Sequence, residues 1–147
     1  MFLVTSGGGV GLLSFGPICQ RIGRRRAFAL FHLGGLISAI VVFQWLRDVP
    51  ALLVALPIFG CLTLGMHAGY AIYFPELYPT RLRGTGAGFC FNVGRVLTAP
   101  IVLGMGWMQS DLEFSLRSAA SLMSVTFLIG VALLAFAPET RGADLPE

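Results

Sequence analysis

The sequence predicts an all-α membrane protein with five transmembrane helices, and three observations carry that prediction. Hydrophobic residues make up 56% of the 147 and charged ones only 12%. The apolar residues gather into five blocks long enough to cross a bilayer, and arginines mark the ends of those blocks on alternating sides. An ordinary soluble domain carries about 45–50% apolar and about 25% charged residues, so the composition points to lipid as the solvent. Spanning the hydrocarbon core takes roughly 20 apolar residues in a helix. Backbone groups in lipid must pair internally, as helices or as strands of a closed barrel. These blocks are too long and too continuously apolar for barrel strands.

The first block, over 1–19, holds Gly7 and Gly11, a small-x-x-x-small pair that lets two helix backbones approach closely. It is apolar from Met1, with neither a basic leader nor a following small-residue cleavage site, so a removable signal peptide is not expected. The second block spans 27–46. The third, 49–75, carries Pro57 and the pair Gly65 and Gly69. The fourth, 84–110, is interrupted only by Arg95 and carries Pro100 and the pair Gly84 and Gly88. The fifth spans 118–138 and leaves a tail over 139–147. Pro57 and Pro100 free backbone carbonyls and are expected to bend their helices.

All ten basic residues are arginine, and their distribution sets the orientation. Seven lie after the odd-numbered spans, namely Arg21, Arg24, Arg25, Arg26, Arg81, Arg83 and Arg141. The other two connections carry Arg47 and Arg117. Positive charge collects on the cytoplasmic side, so the odd spans end there and the tail is cytoplasmic. The amino end is then external, and an odd span count in that orientation leads us to expect further helices upstream. Clustered guanidinium groups differ from the broad basic face that nucleic acid requires, so a nucleic-acid partner is not expected. Cys19, Cys61 and Cys90 lie in or beside apolar runs without Cys-x-x-Cys spacing or a histidine cluster. They read as small packing residues, with no disulfide framework, metal site or cofactor implied.

After the first span the chain reads Gly16-Pro-Ile-Cys-Gln-Arg21-Ile-Gly23-Arg24-Arg25-Arg26, a glycine near a helix end, a tight turn at Gly23, and crowded guanidinium groups. This resembles the loop motif G-x-x-x-D-R-x-G-R-R of the major facilitator superfamily. Gln20 stands where that family usually has aspartate, so the pair made there by the carboxylate has no counterpart here. Two further stretches agree. Pro75-Glu76-Leu-Tyr-Pro-Thr-Arg81-Leu-Arg83-Gly-Thr-Gly86 is similar to the loop between helices ten and eleven of the sugar-porter and metabolite-symporter branches. Pro138-Glu139-Thr140-Arg141-Gly142 resembles their P-E-T-[RK]-G ending. Three motifs in the right order, covering the whole chain, imply helices eight to twelve of such a transporter.

Glu76, Glu139, Arg24, Arg25 and Arg83 all fall at cytoplasmic helix ends, where long side chains can exchange charge-assisted hydrogen bonds between helices. The resemblance implies a charge network that latches the inner side in the outward-facing state. The plainer reading is a set of surface pairs worth about 0–1 kcal/mol each, with arginines that fix orientation.

Arg95 is the one formally charged residue within a span, and an ionisable group there is a functional candidate by default. Twelve residues beyond Arg83, it lies roughly 18 Å along the helix, near the middle of a core about 30 Å thick. Asn92, one turn earlier on the same face, adds an amide to the guanidinium fork, a combination suited to a carboxylate or a hydroxyl. The alternative is a structural pair with a carboxylate outside this stretch. His67 is also near mid-depth, with Tyr70 one turn on and Tyr73 a second turn beyond. It is a candidate for substrate contact or a proton-linked role, or else a hydrogen-bonded packing group. His32 reads as structural. No Asp or Glu falls within the five blocks, so a proton-coupling carboxylate would have to lie elsewhere. The run Gly84-Thr-Gly86-Ala-Gly88 lacks the strand a nucleotide fingerprint needs and reads as helix packing. Without a Gly-x-Ser-x-Gly elbow there is no case for nucleophilic catalysis, and no catalytic residue is assigned.

The expectation is therefore a fragment of a secondary transporter in the inner or plasma membrane. Its partners would be the bilayer, an absent amino-terminal half, a small polar metabolite such as an organic acid or sugar, and protons as a candidate coupling ion. The other reading is a free-standing five-span membrane scaffold or regulatory protein without transport activity.

Overall fold

In the computed structural model, which describes residues 1–143 and 146, five helices are long and apolar enough to cross a membrane. No strand occurs among the described residues. The expected tail positions 144, 145 and 147 lie outside them.

The closest helix pair is α1 (Phe2–Ile22) with α3 (Val49–Glu76), and glycine is the reason. A Cβ on Gly7 would collide with the backbone of Pro57, one on Gly11 with the backbone of Cys61, and one on Gly60 with the backbone of Val4. Backbones this close exclude any side chain, and lipid supplies little hydrophobic force between helices, so such packing is what holds them. Gly65, where a Cβ would also stand 3.1 Å from the Gly11 backbone, and Gly69 make room for aromatic rings. The place of a Cβ there is filled by the rings of Phe31, and of Phe15 and Phe28. Those rings form the core: Phe15 lies 5.1 Å from Phe28 and 5.0 Å from Phe31, centroid to centroid. Cys19, Ala27, Met66 and Tyr73 close around them.

Gly23 is the single residue between α1 and α2 (Arg24–Ile40). The motif around it is helical, contrary to the expected loop between spans ending at 19 and starting at 27. Gly16 lies inside α1, Arg21 in its last turn, and Arg24–Arg26 open α2. Arginine does not end a helix at a membrane edge, because its long stem lets the charged head reach water while the backbone keeps its bonds. The turn itself needs glycine: Gly23 has φ 93°, a region side-chain-bearing residues rarely adopt.

Past Ile40 the second span continues as a π-helical turn, Val41–Trp45. Its terminal carbonyls are covered from the fifth span, where Arg117 Nη1 donates to Leu46 O at 3.0 Å and Phe43 O at 3.4 Å. Gln44 Nε2 adds a bond to Ser121 Oγ at 2.8 Å. The fifth span is divided into α5 (Leu116–Ser124) and α6 (Thr126–Leu133). Hydroxyls crowd the break: Ser124 Oγ donates to Ser121 O at 2.6 Å and Thr126 Oγ1 to Met123 O at 2.7 Å. Such side-chain bonds compete with the helical ladder. By contrast α3 and α4 (Arg83–Ser110) run unbroken through Pro57 and Pro100.

α4 is the least enclosed of the five spans, burying only Gly86 and Met108. Gly84 and Gly88, expected to seat a neighbouring helix, have nothing within 4 Å of a Cβ position. Among the described residues no other helix packs against α4 at these two glycines.

Candidate functional site

One edge of the bundle gathers the ends of α1, α2, α3 and the segment after α6. Arg24 is the first residue of α2 and Glu76 the last of α3, each at the end of its helix where the dipole disfavours its charge. Pairing offsets this. Arg24 Nη2 donates to Glu76 Oε1 at 2.7 Å and Nε to Oε2 at 3.2 Å, a two-pronged contact with side chains only 15% and 16% exposed. Thr140 Oγ1 donates to Glu76 Oε2 at 2.5 Å.

Glu139 takes a different role from a guanidinium partner. Its carboxylate accepts the backbone N–H groups of Arg24 at 2.8 Å, Arg25 at 3.2 Å and Arg141 at 3.1 Å. No residue at the start of α2 caps the helix with its own side chain, so a carboxylate from 115 residues away in sequence supplies the cap. Partial burial pushes the Glu139 carboxyl up, but the three N–H donors and the nearby Arg24 charge outweigh it and hold it below the ordinary carboxylate range. Gly23 makes room, since a Cβ there would stand 2.7 Å from Glu139 Oε2. Arg25 Nη2 donates to Ala135 O at 3.3 Å, and Tyr73 Oη to Pro138 O at 2.7 Å. Residues 138–141 are thereby tied to α2 and α3 together.

Arg83 stands apart from the carboxylates. Its Nε donates to Pro75 O at 3.1 Å, covering the end of α3, while Nη2 is buried without a partner among the described residues. Of the five residues expected at this edge, Arg24, Arg25, Glu76 and Glu139 come together and Arg83 does not. Tyr73 and Thr140 join them unforeseen: uncharged hydroxyls carry no signal of their own.

The membrane-depth residues are dispersed. Arg95 and Asn92 are exposed on α4. Asn92 Nδ2 donates back to Gly88 O at 2.8 Å, and its Oδ1 accepts from no donor among the described residues. Arg95 makes no side-chain hydrogen bond among the described residues, and Val93, Val96 and Leu97 around it are exposed too. His67 is exposed on α3, whereas Tyr70 is half-buried, stacked on Phe74 with centroids 5.3 Å apart. Tyr70 lines a cavity of about 370 Å³ between α2, α3, α4 and α6 that also touches His32 and Thr98. Asn92, Arg95 and His67 do not line it. His32 itself is a packed group: Nδ1 lies 2.8 Å from Phe28 O and Nε2 3.4 Å from Tyr70 Oη. A carbonyl can only accept, so the proton sits on Nδ1 and Nε2 accepts from the tyrosine.

No protein-family profile matches the chain, and no solved structure matches it. Curated proteins do. A Haemophilus influenzae protein named as a metabolite transport protein is 36% identical over 138 residues, covering 92% of this chain and 33% of that protein. The Escherichia coli inner membrane metabolite transport protein YhjE is 26% identical over 149 residues, covering 99% and 33%. A Cupriavidus pinatubonensis protein named for 4-methylmuconolactone transport is 28% identical over 144 residues, covering 97% and 33%. The chain spans about one third of the length of the curated relatives it matches. Five apolar helices, an arginine corner turned on Gly23 and relatives named as metabolite transport proteins make this a multi-pass membrane protein that belongs to the major facilitator superfamily.

Proposed function

We propose that the chain is the helix-eight-to-twelve stretch of a secondary transporter that moves a small polar metabolite, an organic acid or a sugar, by alternating access. The observation that carries this reading is the cluster at Arg24, Glu76, Glu139 and Thr140. It fastens helix ends at one membrane edge with polar contacts that can be exchanged for water when that edge opens, as rocking of a bundle about a mid-membrane site requires. Arg24, Arg25, Glu76 and Glu139 act as the gate, and Arg83 supports it by holding the end of α3. In the complete transporter, an amino-terminal half would cover the open face of α4.

Substrate is held by Arg95 and Asn92 on that face, with His67 and Tyr70 of α3 as further contacts. An unpaired guanidinium halfway along an apolar helix is unfavourable in lipid and must meet protein, water or ligand. Coupling to protons, if it occurs, uses a carboxylate outside these five spans.

Arg95→Ala in the complete transporter is expected to lower uptake by at least about 100-fold, as loss of a charged contact worth roughly 3 kcal/mol implies, with membrane expression unchanged. Radiolabelled uptake into proteoliposomes measures it. Unimpaired uptake would remove Arg95 from the binding site. A scaffold without transport predicts no uptake from any form of the protein.

A further inference from the structure

Beside the gate, and sharing Arg25 and Glu139 with it, lies a cavity of about 680 Å³ between the α1–α2 corner and the end of α6. Arg25, Arg26 and Arg141 line it, together with the carboxylate of Glu139. Glu139 directs its oxygens at three backbone N–H groups, so its hydrogen-bonding capacity is spent within the protein. The guanidinium of Arg25 uses one nitrogen on Ala135 O, while those of Arg26 and Arg141 make no side-chain hydrogen bond among the described residues. Three cations against one occupied anion leave the cavity net positive. Its remaining wall is apolar, formed by Ala29, Val131 and Leu134. Ala29 and Val131 lie on spans long enough to cross the membrane, so the apolar wall leads from the arginines toward the hydrocarbon.

We propose that this cavity binds an anionic phosphate group, and that its source is the headgroup of an anionic phospholipid. Guanidinium forks match phosphate oxygens in pairs, and basic pockets between membrane helices near the headgroup level suit such lipids. The phosphodiester sits between Arg26 and Arg141, with Arg25 closing the third side. An acyl chain descends along Ala29, Val131 and Leu134. A free phosphate would use the same arginines but gain nothing from that wall.

The test is lipid binding by the purified 147-residue chain in neutral detergent, read by native mass spectrometry. Phosphatidylglycerol is expected to bind and phosphatidylcholine not to. The double substitution Arg26→Gln with Arg141→Gln is expected to weaken phosphatidylglycerol binding about 30-fold, given two basic groups near a charged headgroup. Arg47→Gln, in the connection between the second and third spans, is expected to leave it unchanged. Ala29→Trp, which fills the apolar wall and keeps every charge, is expected to weaken lipid binding as well, so the idea stays testable if the double variant loses helical circular dichroism. Equal affinity of the unchanged chain for phosphatidylglycerol and phosphatidylcholine would overturn the proposal, as would arginine variants that bind normally. Displacement of the lipid by an equal concentration of inorganic phosphate would overturn the lipid as source.

Discussion

Glu76→Ala is expected to destabilise the folded bundle by about 2 kcal/mol. The carboxylate receives three side-chain donors, two from Arg24 and one from Thr140. Removing it strands a guanidinium at the start of α2, where the helix dipole already disfavours positive charge. Truncating one member of a deeply buried pair costs about 3–5 kcal/mol; here the partners retain some access to water, which lowers the figure. Glu76→Gln keeps the acceptor oxygen and shape, so it should cost less than half as much. Unfolding in mixed micelles with increasing dodecyl sulfate measures both. In the complete transporter the same change should shift the balance toward the state open at this edge.

Gly11→Ala is expected to cost roughly 3 kcal/mol, the upper end for overpacking, while Gly9→Ala is expected to stabilise by up to about 1 kcal/mol through helix propensity. The two glycines lie two residues apart on α1, yet the opposite signs follow from their surroundings. A Cβ at Gly11 meets the backbone of Cys61, which cannot turn aside as a side chain could; at Gly9 nothing lies within 4 Å. α1 would have to withdraw from α3 along its length, exposing the seam at Gly7 and Gly60. The same detergent titration separates the two variants.

The number of spans was legible because hydrophobic content over 20-residue blocks is a property of composition. The ends of α1 and α2 were not legible, since charge was read as loop, whereas Arg21 and Arg24 remain helical and only Gly23 departs from the ladder. The Gly7–Gly11 spacing correctly marked a close helix approach; the same spacing at Gly84–Gly88 faces open space, because spacing says how near a neighbour can come and not whether one is present. At the membrane edge the charged residues Arg24, Glu76 and Glu139 announced themselves through motifs. Their actual partners did not: the acceptance of backbone N–H groups by Glu139 depends on a turn geometry that no local pattern encodes. Arg117, which sequence gave only a part in orientation, holds the π-helical end of the second span through contacts more than 70 residues distant. His32 and Tyr70 meet across 38 residues for the same reason.

The most direct measurement is the sidedness of the connections, read with a membrane-impermeant thiol reagent on oriented vesicles. In a background lacking Cys19, Cys61 and Cys90, single cysteines replace Gln20, Asp48, Thr80, Glu113 or Gly142. Five crossings place Gln20→Cys, Thr80→Cys and Gly142→Cys within reach from one side only, and Asp48→Cys and Glu113→Cys from the other. Labelling of all five from the same side would contradict a five-span transporter stretch.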